Sequence, residues 1–175
     1  DAIRHDITIY AAHTNMDVVS NGVSGRMADK LDLYHRQILQ PEGDPMTGNG
    51  FGIIGELQHP VESMAFLQQI KEIFRCDRLR YTTPHILSIQ RVAVCGGAGA
   101  SFFKQALAGQ ADIYISGDFK YHDFFLTENR IMIADIGHYE SEQFTKEIFY
   151  EILTKKISKF AVQFSEINTN PIKYL

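Results

Sequence analysis

The sequence has 175 residues, enough for one ordinary domain or for two small lobes that share a sheet. Hydrophobic residues make up 45% and charged residues 22%, a globular composition that excludes an intrinsically disordered chain. The net charge of −4 provides no basic surface for nucleic acid, and no apolar run reaches the roughly 18 residues that span a bilayer. Two cysteines at no metal-ligand spacing indicate a reducing compartment, so we expect a cytoplasmic protein without membrane or nucleic-acid partners.

The chain opens at Asp1 without an initiator Met, and the apolar, β-branched run Ile7–His13 follows within a few residues. This run predicts a buried strand, and its position so close to the start leads us to expect a fragment. A helix is predicted over Val23–Leu33. Residues Gln40–Gly50 are rich in Pro, Gly and Asp, which is typical of a loop or a linker.

Strands and helices then alternate along the chain. Strands are predicted at Phe51–Leu57, Leu79–Thr83, Gln90–Cys95, Asp112–Ser116, Ile131–Ile136 and Phe160–Phe164. Helices are predicted at Val61–Arg75, Ser101–Ala108, Tyr121–Thr127 and Ser141–Ile157. This alternation indicates an α/β fold with a mixed, largely parallel sheet, in which ligands bind beyond the carboxyl ends of the strands.

His138 and Glu142 follow one of these strand ends at a spacing of four. If a helix begins near His138, both side chains share one face and can converge on a cation. Imidazole with carboxylate suits zinc, iron or manganese better than calcium. An alternative stays open, in which Ser141 caps the helix and Glu140 and Glu142 complement its dipole.

Two other pairs have the same spacing. Asp17 lies four residues after His13, where its carboxylate can bridge two metals, orient a water or hold its own loop by an Asx-turn. Asp118 and His122 follow a later strand and are candidates for groups that support a metal ligand or contact a substrate. Both can equally belong to a surface helix.

The glycine-rich run GGAGA, residues 96–100, follows the strand at Gln90–Cys95. A glycine turn before a helix can bind phosphate through its backbone N–H groups. The run matches neither the P-loop pattern nor a complete G-x-G-x-x-G, because Phe102 stands where the last glycine would be. Tight packing of strand against helix explains these glycines equally well.

Several longer motifs carry a resemblance to a known family. The runs IYAAHTNMD, GFGIIGEL, VAVCGGAGASF, ADIYISGDFKYHDFF and ADIGHYESEQF, in this order, resemble the NGG-one-interacting factor three family. Its members are often named GTP cyclohydrolase I type 2 or dinuclear metal-binding proteins. The resemblance covers nearly the whole chain, and it implies a three-layer α/β/α fold and a homo-oligomer, a hexameric ring with its metals facing an internal cavity.

The resemblance also implies metal ligands. The aspartate of the family's HTNxD motif corresponds to Asp17, and the histidine and glutamate of its GHxxxE motif correspond to His138 and Glu142. In the family these three residues, with a consecutive histidine pair, hold two divalent metal ions. This chain contains no His-His pair, and we expect the missing pair to lie before Asp1.

Longer members of the family carry an inserted domain that residues 41–50 are too short to hold. We therefore expect residues 1–40 to be the C-terminal part of a first α/β lobe whose upstream part is missing. Residues 41–50 would be a loop or the junction of a truncated insert. Residues 51–175 would form a second lobe that carries the GGAGA turn and the GHYESE metal motif.

The leading hypothesis for function is a metal-dependent hydrolase with a dinuclear site, which would activate water by lowering its pKa. Asp118 or His122 would then act as catalytic groups that move protons or position substrate. The family's name suggests a purine nucleotide such as GTP, opened at its imidazole ring. The alternative is a metal-binding interaction or regulatory protein without catalytic turnover, and the sequence leaves open whether the chain is an enzyme.

Overall fold

A computed structural model describes residues 1–175, apart from the side chain of Pro45. Across the described residues, six strands form one sheet in the order β1-β2-β4-β5-β6-β3. The strands are β1 (Tyr34–Pro41), β2 (Gly50–Glu62), β3 (Arg80–Tyr81), β4 (Ser88–Val94), β5 (Ile113–Ser116) and β6 (Met132–Asp135). The helices are α1 (Thr14–Asp17), α2 (Val23–Lys30), α3 (Ser63–Ile73), α4 (Phe103–Ala108), α5 (His138–Glu142) and α6 (Thr145–Lys156). Short 3-10 helices cover Ile3–His5, Ala100–Phe102 and Tyr121–Thr127.

The sheet is mixed, with a parallel centre and antiparallel flanks. Strands β4, β5 and β6 pair in parallel, whereas β1 pairs with β2, β2 with β4, and β3 with β6 in antiparallel fashion. The predicted α/β class and mixed sheet are confirmed. The expected predominance of parallel pairs is wrong for the described strands, because the β1–β2 hairpin across residues 42–49 and the edge strand β3 add antiparallel pairs.

Strict alternation of side chains builds a core on each face of the sheet. On one face, Val92, Val94, Ile113, Ile115 and Met132 pack against helices α2 and α3 and the start of α6. On the other face, Ala93, Tyr114, Ile131 and Ile133 pack against α4 and the aromatic residues around the 3-10 helix at Tyr121–Thr127. Because both faces are covered, the expected three-layer α/β/α arrangement is confirmed.

Two predicted strands are wrong. The run Ile7–His13 has no regular structure, and Ile9 and Tyr10 are 76% and 78% exposed. The run Phe160–Phe164 is also irregular and exposed. Apolar side chains alone do not make a strand, since a strand needs a neighbouring backbone to accept and donate its hydrogen bonds.

The predicted helix Ser141–Ile157 is divided into α5 and α6, with a break at Gln143 and Phe144. Phe144 turns into the core, is only 4% exposed, and meets Phe74 edge-on with ring centroids 6.1 Å apart. The break lets α5 stand at the end of β6 while α6 packs beside α2, where Lys30 binds Glu147 at 3.0 Å. Strand β1 was not predicted, because its sequence YHRQILQP is largely polar.

Residues 34–41 and 50–62 on either side of the Pro- and Gly-rich segment pair with each other in the single sheet. The proposed division into lobes at residues 41–50 stays a prediction. The longest helix described, α6, has 12 residues, and no helix in the described chain has the length and apolar character needed to cross a bilayer.

Ile115 tests the parallel centre of the sheet, since its side chain is fully buried in the core beneath α2. We expect Ile115→Ala to lower the free energy of unfolding by about 2–5 kcal/mol, because the lost methyl groups leave a cavity. Ile115→Val is the matched control and should cost only about 0.5–1.5 kcal/mol. Urea unfolding followed by circular dichroism measures both values, and equal small losses would contradict the described packing.

Candidate metal centre

The carboxyl ends of the three parallel strands meet at one edge of the sheet. Strand β4 ends at the glycine turn that begins with Gly96, β5 leads into Gly117 and Asp118, and β6 leads into Gly137 and His138. Two of these strand ends therefore supply the predicted site residues: β5 leads to Asp118, and β6 leads to His138 and, one turn into α5, Glu142.

Gly97 joins these strand ends. Its carbonyl oxygen accepts a hydrogen bond from the N–H of Gly117 at 2.9 Å, and its own N–H donates to Ser141 Oγ in α5 at 2.8 Å. Its φ of +64° lies in the left-handed region, and an added Cβ would come within 2.5 Å of Glu142 Oε1. Only glycine meets both requirements, so Gly97 sets how closely the turn approaches Glu142.

The N–H groups of the three glycines in this run donate hydrogen bonds inside the protein. Gly96 donates to Ser24 Oγ at 3.2 Å, Gly97 donates to Ser141, and Gly99 donates to Ser116 Oγ at 3.0 Å. A phosphate cradle needs such groups free to face the ligand. The contacts therefore favour the packing interpretation of GGAGA.

His138 is held between two carboxylates. Its Nδ1 lies 2.7 Å from Asp118 Oδ2, and its Nε2 lies 3.3 Å from Glu142 Oε1. Because a carboxylate can only accept, Nδ1 carries a proton and donates to Asp118, which turns Nε2 toward Glu142. A carboxylate behind a ligand histidine is the usual way in which proteins fix its tautomer and ring orientation.

The distance between His138 Nε2 and Glu142 Oε1 fits a shared cation. Two ligands of one tetrahedral zinc ion, with bonds of about 2.0–2.2 Å, lie roughly 3.4 Å apart. The observed separation is 3.3 Å. The donor types and their spacing therefore fit a divalent ion bound between these two side chains.

Asp17 reaches the same edge from the other end of the chain. It ends α1, and the next residue is fixed to β2 by the bond from the N–H of Gly50 to the carbonyl of Val18, at 2.7 Å. Antiparallel pairing brings the start of β2 beside the end of β4, which places α1 next to α5. Asp17 and Glu142 consequently line a common cleft of about 60 Å³.

His13 lines this cleft as well, although the sequence analysis did not select it. It precedes the first residue of α1, and its N–H donates to the side chain of Asn15 at 2.8 Å. Its spacing of four from Asp17 was the available signal, equal to the spacing of His138 and Glu142. The cleft thus brings a second imidazole to the two carboxylates.

The charges in this group act on one another. Partial burial raises the pKa of Glu142 and of Asp17, while His138 and His13 act in the opposite direction on both carboxyls. Partial burial lowers the pKa of His138, but the hydrogen bond to Asp118 and the charge of Glu142 outweigh it, so that the net shift is upward. Burial thus favours the protonated form of the two carboxyls, and the neighbouring carboxylates favour the protonated form of His138.

The predicted metal ligands and catalytic residues do not form one complete site. Among the described residues, no three His, Cys, Asp or Glu side chains stand close enough to form a complete metal site. His122 is exposed on the 3-10 helix after β5, and its ring packs against Tyr121 with centroids 5.4 Å apart. The catalytic roles expected for His122 and Asp118 stay predictions, and the contact that Asp118 makes is with His138.

The capping alternative for the GHYESE segment does not describe its contacts. Ser141 Oγ donates to the carbonyl of His138 at 2.8 Å and accepts from Gly97, so it ties the turn to β4. Glu140 is buried, and its Oε1 accepts from the side-chain amide of Asn170 at 3.1 Å. Glu142 faces His138 and remains the one member of this segment that meets the cleft with Asp17.

The two cysteines, Cys76 and Cys95, are buried. Burial raises the pKa of the Cys76 thiol to about 12 and that of the Cys95 thiol to about 11. Both side chains therefore remain neutral at physiological pH and behave as small apolar groups.

Two larger cavities border His138. One, of about 450 Å³, lies between α5 and the C-terminal residues Asn170–Ile172. The other, of about 400 Å³, extends from His138 and Asp118 toward β3. A separate aromatic cavity of about 360 Å³ beside Tyr81 and Phe125 contains none of the predicted site residues among its described lining.

Comparison with known proteins decides the family. The family model of Duf34/NIF3 (NGG1p interacting factor 3) matches residues 1–171. The chain belongs to the Duf34/NIF3 family. This confirms the resemblance that the HTNMD, GGAGA and GHYESE motifs indicated.

Curated relatives in the family carry a name that refers to an activity. A Streptococcus pneumoniae protein named GTP cyclohydrolase 1 type 2 homolog is 36% identical over 183 residues, covering 100% of this chain and 68% of the relative. A Lactococcus lactis protein of the same name is 31% identical over 179 residues, covering 98% of this chain and 65% of the relative. The Duf34/NIF3 chain thus spans about two thirds of the length of these proteins.

The fold is shared with solved members. The crystal structure of a Staphylococcus aureus hypothetical protein superimposes with a TM-score of 0.88 at 25% sequence identity. The match covers 99% of this chain and 70% of that one. The fold described above is therefore shared with that protein.

The raised pKa of Glu142 predicts a gain in stability when its charge is removed. Since the folded protein holds this proton more tightly than the unfolded chain, the ionised carboxylate destabilises the fold above the folded pKa. It has no such effect below the unfolded value of 4.5. We expect Glu142→Gln to raise the melting temperature of chelator-treated protein at neutral pH, and we expect this gain to vanish at acidic pH.

Thermal unfolding followed by circular dichroism measures this effect. Glu151→Gln is the matched control, because Glu151 is an exposed carboxylate that pairs with Arg26 at 2.7 Å. The control should give no gain at neutral pH. A lower melting temperature for Glu142→Gln at neutral pH would contradict the described electrostatics.

Proposed function

We propose that this Duf34/NIF3 protein contributes part of a divalent-metal site that serves a hydrolytic reaction. The observation that carries the proposal is the arrangement of His138, whose Nδ1 is fixed by Asp118 while Nε2 faces Glu142 at 3.3 Å. Asp17 and Glu142 line the adjoining cleft, so a second carboxylate lies near this pair and could contribute to holding an ion. Asp17, His138 and Glu142 are the residues that the family resemblance implies as ligands.

The donor set indicates the metal class. One imidazole with two carboxylates suits zinc, iron or manganese, and the resemblance implies two such ions in the complete site. When bound, divalent ions of this kind lower the pKa of a coordinated water and polarise the group that it attacks. Two ions need more ligands than Asp17, His138 and Glu142 provide, so this chain's three residues are a partial set.

The chain's own side chains have distinct parts in this proposal. Asp118 orients His138 and keeps its Nε2 directed at the site. His13 lines the same cleft as Glu142 and Asp17. Gly97 keeps the wall behind Glu142 free of a side chain. His122 would reach a substrate only from the exposed face of its 3-10 helix.

The names of the relatives suggest a class of substrate. Because the curated relatives are named GTP cyclohydrolase 1 type 2 homologs, we propose a purine nucleotide such as GTP. Hydrolysis of one C–N bond would open its imidazole ring to a formamide, and hydrolysis of the second C–N bond by another water would release the ring carbon as formate. Cavities of about 400 and 450 Å³ on either side of His138 are in the range that holds small ligands.

A test of the ligands measures bound metal directly. We expect His138→Ala and Glu142→Ala each to weaken zinc or manganese binding at least about tenfold, because each removes a donor atom from the site. His122→Ala is the matched control, since it removes an exposed histidine from the neighbouring segment. Elemental analysis after dialysis against buffered metal gives the stoichiometry, and unchanged metal in both ligand variants would refute the assignment.

A second test addresses turnover. Metal-loaded protein incubated with GTP should release formate, and Glu142→Ala should abolish that release. Formate is measured by an enzymatic assay, with chelator-treated protein as the control. Metal binding without formate release would exclude the cyclohydrolase activity.

That outcome would favour the second candidate, a metal-binding interaction or regulatory protein. The family description, NGG1p interacting factor 3, supports it. In that case the metals and the proposed hexameric ring would serve assembly. Light scattering with and without metal would then show a change in oligomeric state.

A further inference from the structure

Asp135 is a buried acidic residue that the proposed metal chemistry does not use. It is the last residue of β6, and its side chain is only 3% exposed. In the parallel sheet it lies beside Ser116, which is the last residue of β5. Its carboxylate therefore stands where the chain enters the two turns that carry Asp118 and His138.

The carboxylate of Asp135 accepts one backbone N–H from each of these turns. Oδ1 accepts from the N–H of Gly137 at 3.0 Å, and Oδ2 accepts from the N–H of Phe119 at 3.1 Å. Gly137 directly precedes His138 in the chain. Phe119 directly follows Asp118. One side chain thus bonds to the backbone next to each member of the pair in which Asp118 Oδ2 and His138 Nδ1 are 2.7 Å apart.

Both turns have backbone conformations that need support from their surroundings. The φ of Asp118 is +59° and that of Gly137 is +92°, so both residues lie in the left-handed region. A residue with a Cβ stays in this region only where neighbouring contacts hold it there. The turns also touch, because a Cβ added at Gly117 would lie 2.8 Å from the backbone nitrogen of His138. A shift in either turn would therefore move Asp118 relative to His138.

Arg80 supports the same arrangement from β3. It forms an ion pair with Asp135 and donates to the carbonyl of Phe119 at 2.8 Å. The pair compensates a buried negative charge that would otherwise be costly. Both backbone groups of Phe119 are thus bonded, the N–H to Asp135 and the carbonyl to Arg80. The residue after Asp118 is consequently fixed on two sides.

We propose that Asp135 is a positioning residue of the metal centre, which holds the turns after β5 and β6 so that Asp118 orients the His138 ring. The inference rests on the proposed function, because the ring that it positions is a proposed metal ligand. Asp135 acts through the backbone and through Asp118. Asparagine at this position has the same shape but cannot replace it, since its amide NH₂ would face one of the donors that a carboxylate accepts.

The first test observes the His138 ring without metal. The chelator-treated chain is labelled at its histidine nitrogens, and two-bond proton–nitrogen NMR at alkaline pH shows which nitrogen of the neutral ring carries the proton. We expect Nδ1 of His138 to carry it in the parent, because Asp118 accepts from Nδ1. In Asp135→Asn we expect the tautomer protonated at Nε2 to gain population, and His138→Gln identifies the signals.

The second test measures zinc affinity by competition with a chromophoric chelator. We expect Asp135→Asn to weaken zinc binding at least about tenfold, as is usual when a group that orients a ligand is removed. Ile89→Ala is the matched control, because Ile89 is fully buried near the start of β4, away from the strand ends that carry the site. The control should lower the melting temperature and leave the tautomer and the zinc affinity unchanged.

A second variant covers the case in which Asp135→Asn does not fold. Asp135→Glu keeps the charge beside Arg80 and displaces the accepting oxygens by one methylene, so we expect the same change of tautomer. Circular dichroism checks the fold of each variant. Failure of both variants to fold would assign Asp135 to stability and overturn the proposal.

Three further results would overturn it. They are a parent ring protonated at Nε2, a folded Asp135→Asn with the tautomer and zinc affinity of the parent, and equal changes in Ile89→Ala. Since the NMR samples contain no metal, the tautomer can change as expected even if the parent binds no zinc, which would count against the proposed function alone. Conversely, the parent can bind zinc while its tautomer is insensitive to Asp135.

Discussion

The structure depends on the close approach of three parallel strand ends around Gly97. Its backbone bonds to Gly117 after β5 and to Ser141 in α5, so one residue joins the ends of β4 and β5 to the helix that follows β6. The strand ends can come this close only because residue 97 is a glycine. Its φ is +64°, and a Cβ at this position would collide with Glu142. The position of Glu142 is therefore a consequence of backbone packing.

Around this junction, partial burial of charged carboxylates destabilises the folded protein. Glu142 and Asp17 are partly buried next to each other, and burial raises the pKa of both carboxyls. A fold selected for stability alone would leave such groups in water or replace them with neutral side chains. Their retention beside His138 is typical of a site where a function requires the charges. The same edge of the sheet also carries the Arg80–Asp135 ion pair, which fixes a guanidinium at the mouth of the adjoining cavity.

Much of the fold could be predicted because the central strands are buried on both faces. Runs such as Ile131–Ile136 bury alternate residues in two cores, and their apolar character is visible in the sequence. The edge strand β1 was not predicted, because most of its side chains are exposed and polar and its sequence lacks an apolar run. Ile7–His13 shows the reverse error, since an apolar run without a neighbouring strand stays irregular. The break at Phe144 depends on a contact with Phe74, which is distant in sequence.

For the site too, some features could be predicted from the sequence and others could not. The rule that ligands gather at strand ends selected Asp118, His138 and Glu142, and the structure brings these three side chains together. The rule could not show that Asp118 binds His138, because that contact depends on how β5 and β6 are placed side by side. Asp17 has a further consequence, because it is separated from Glu142 by about 125 residues of chain. A cation held by both would close that loop like a cross-link, so its release would loosen α1 first and leave the parallel strands intact.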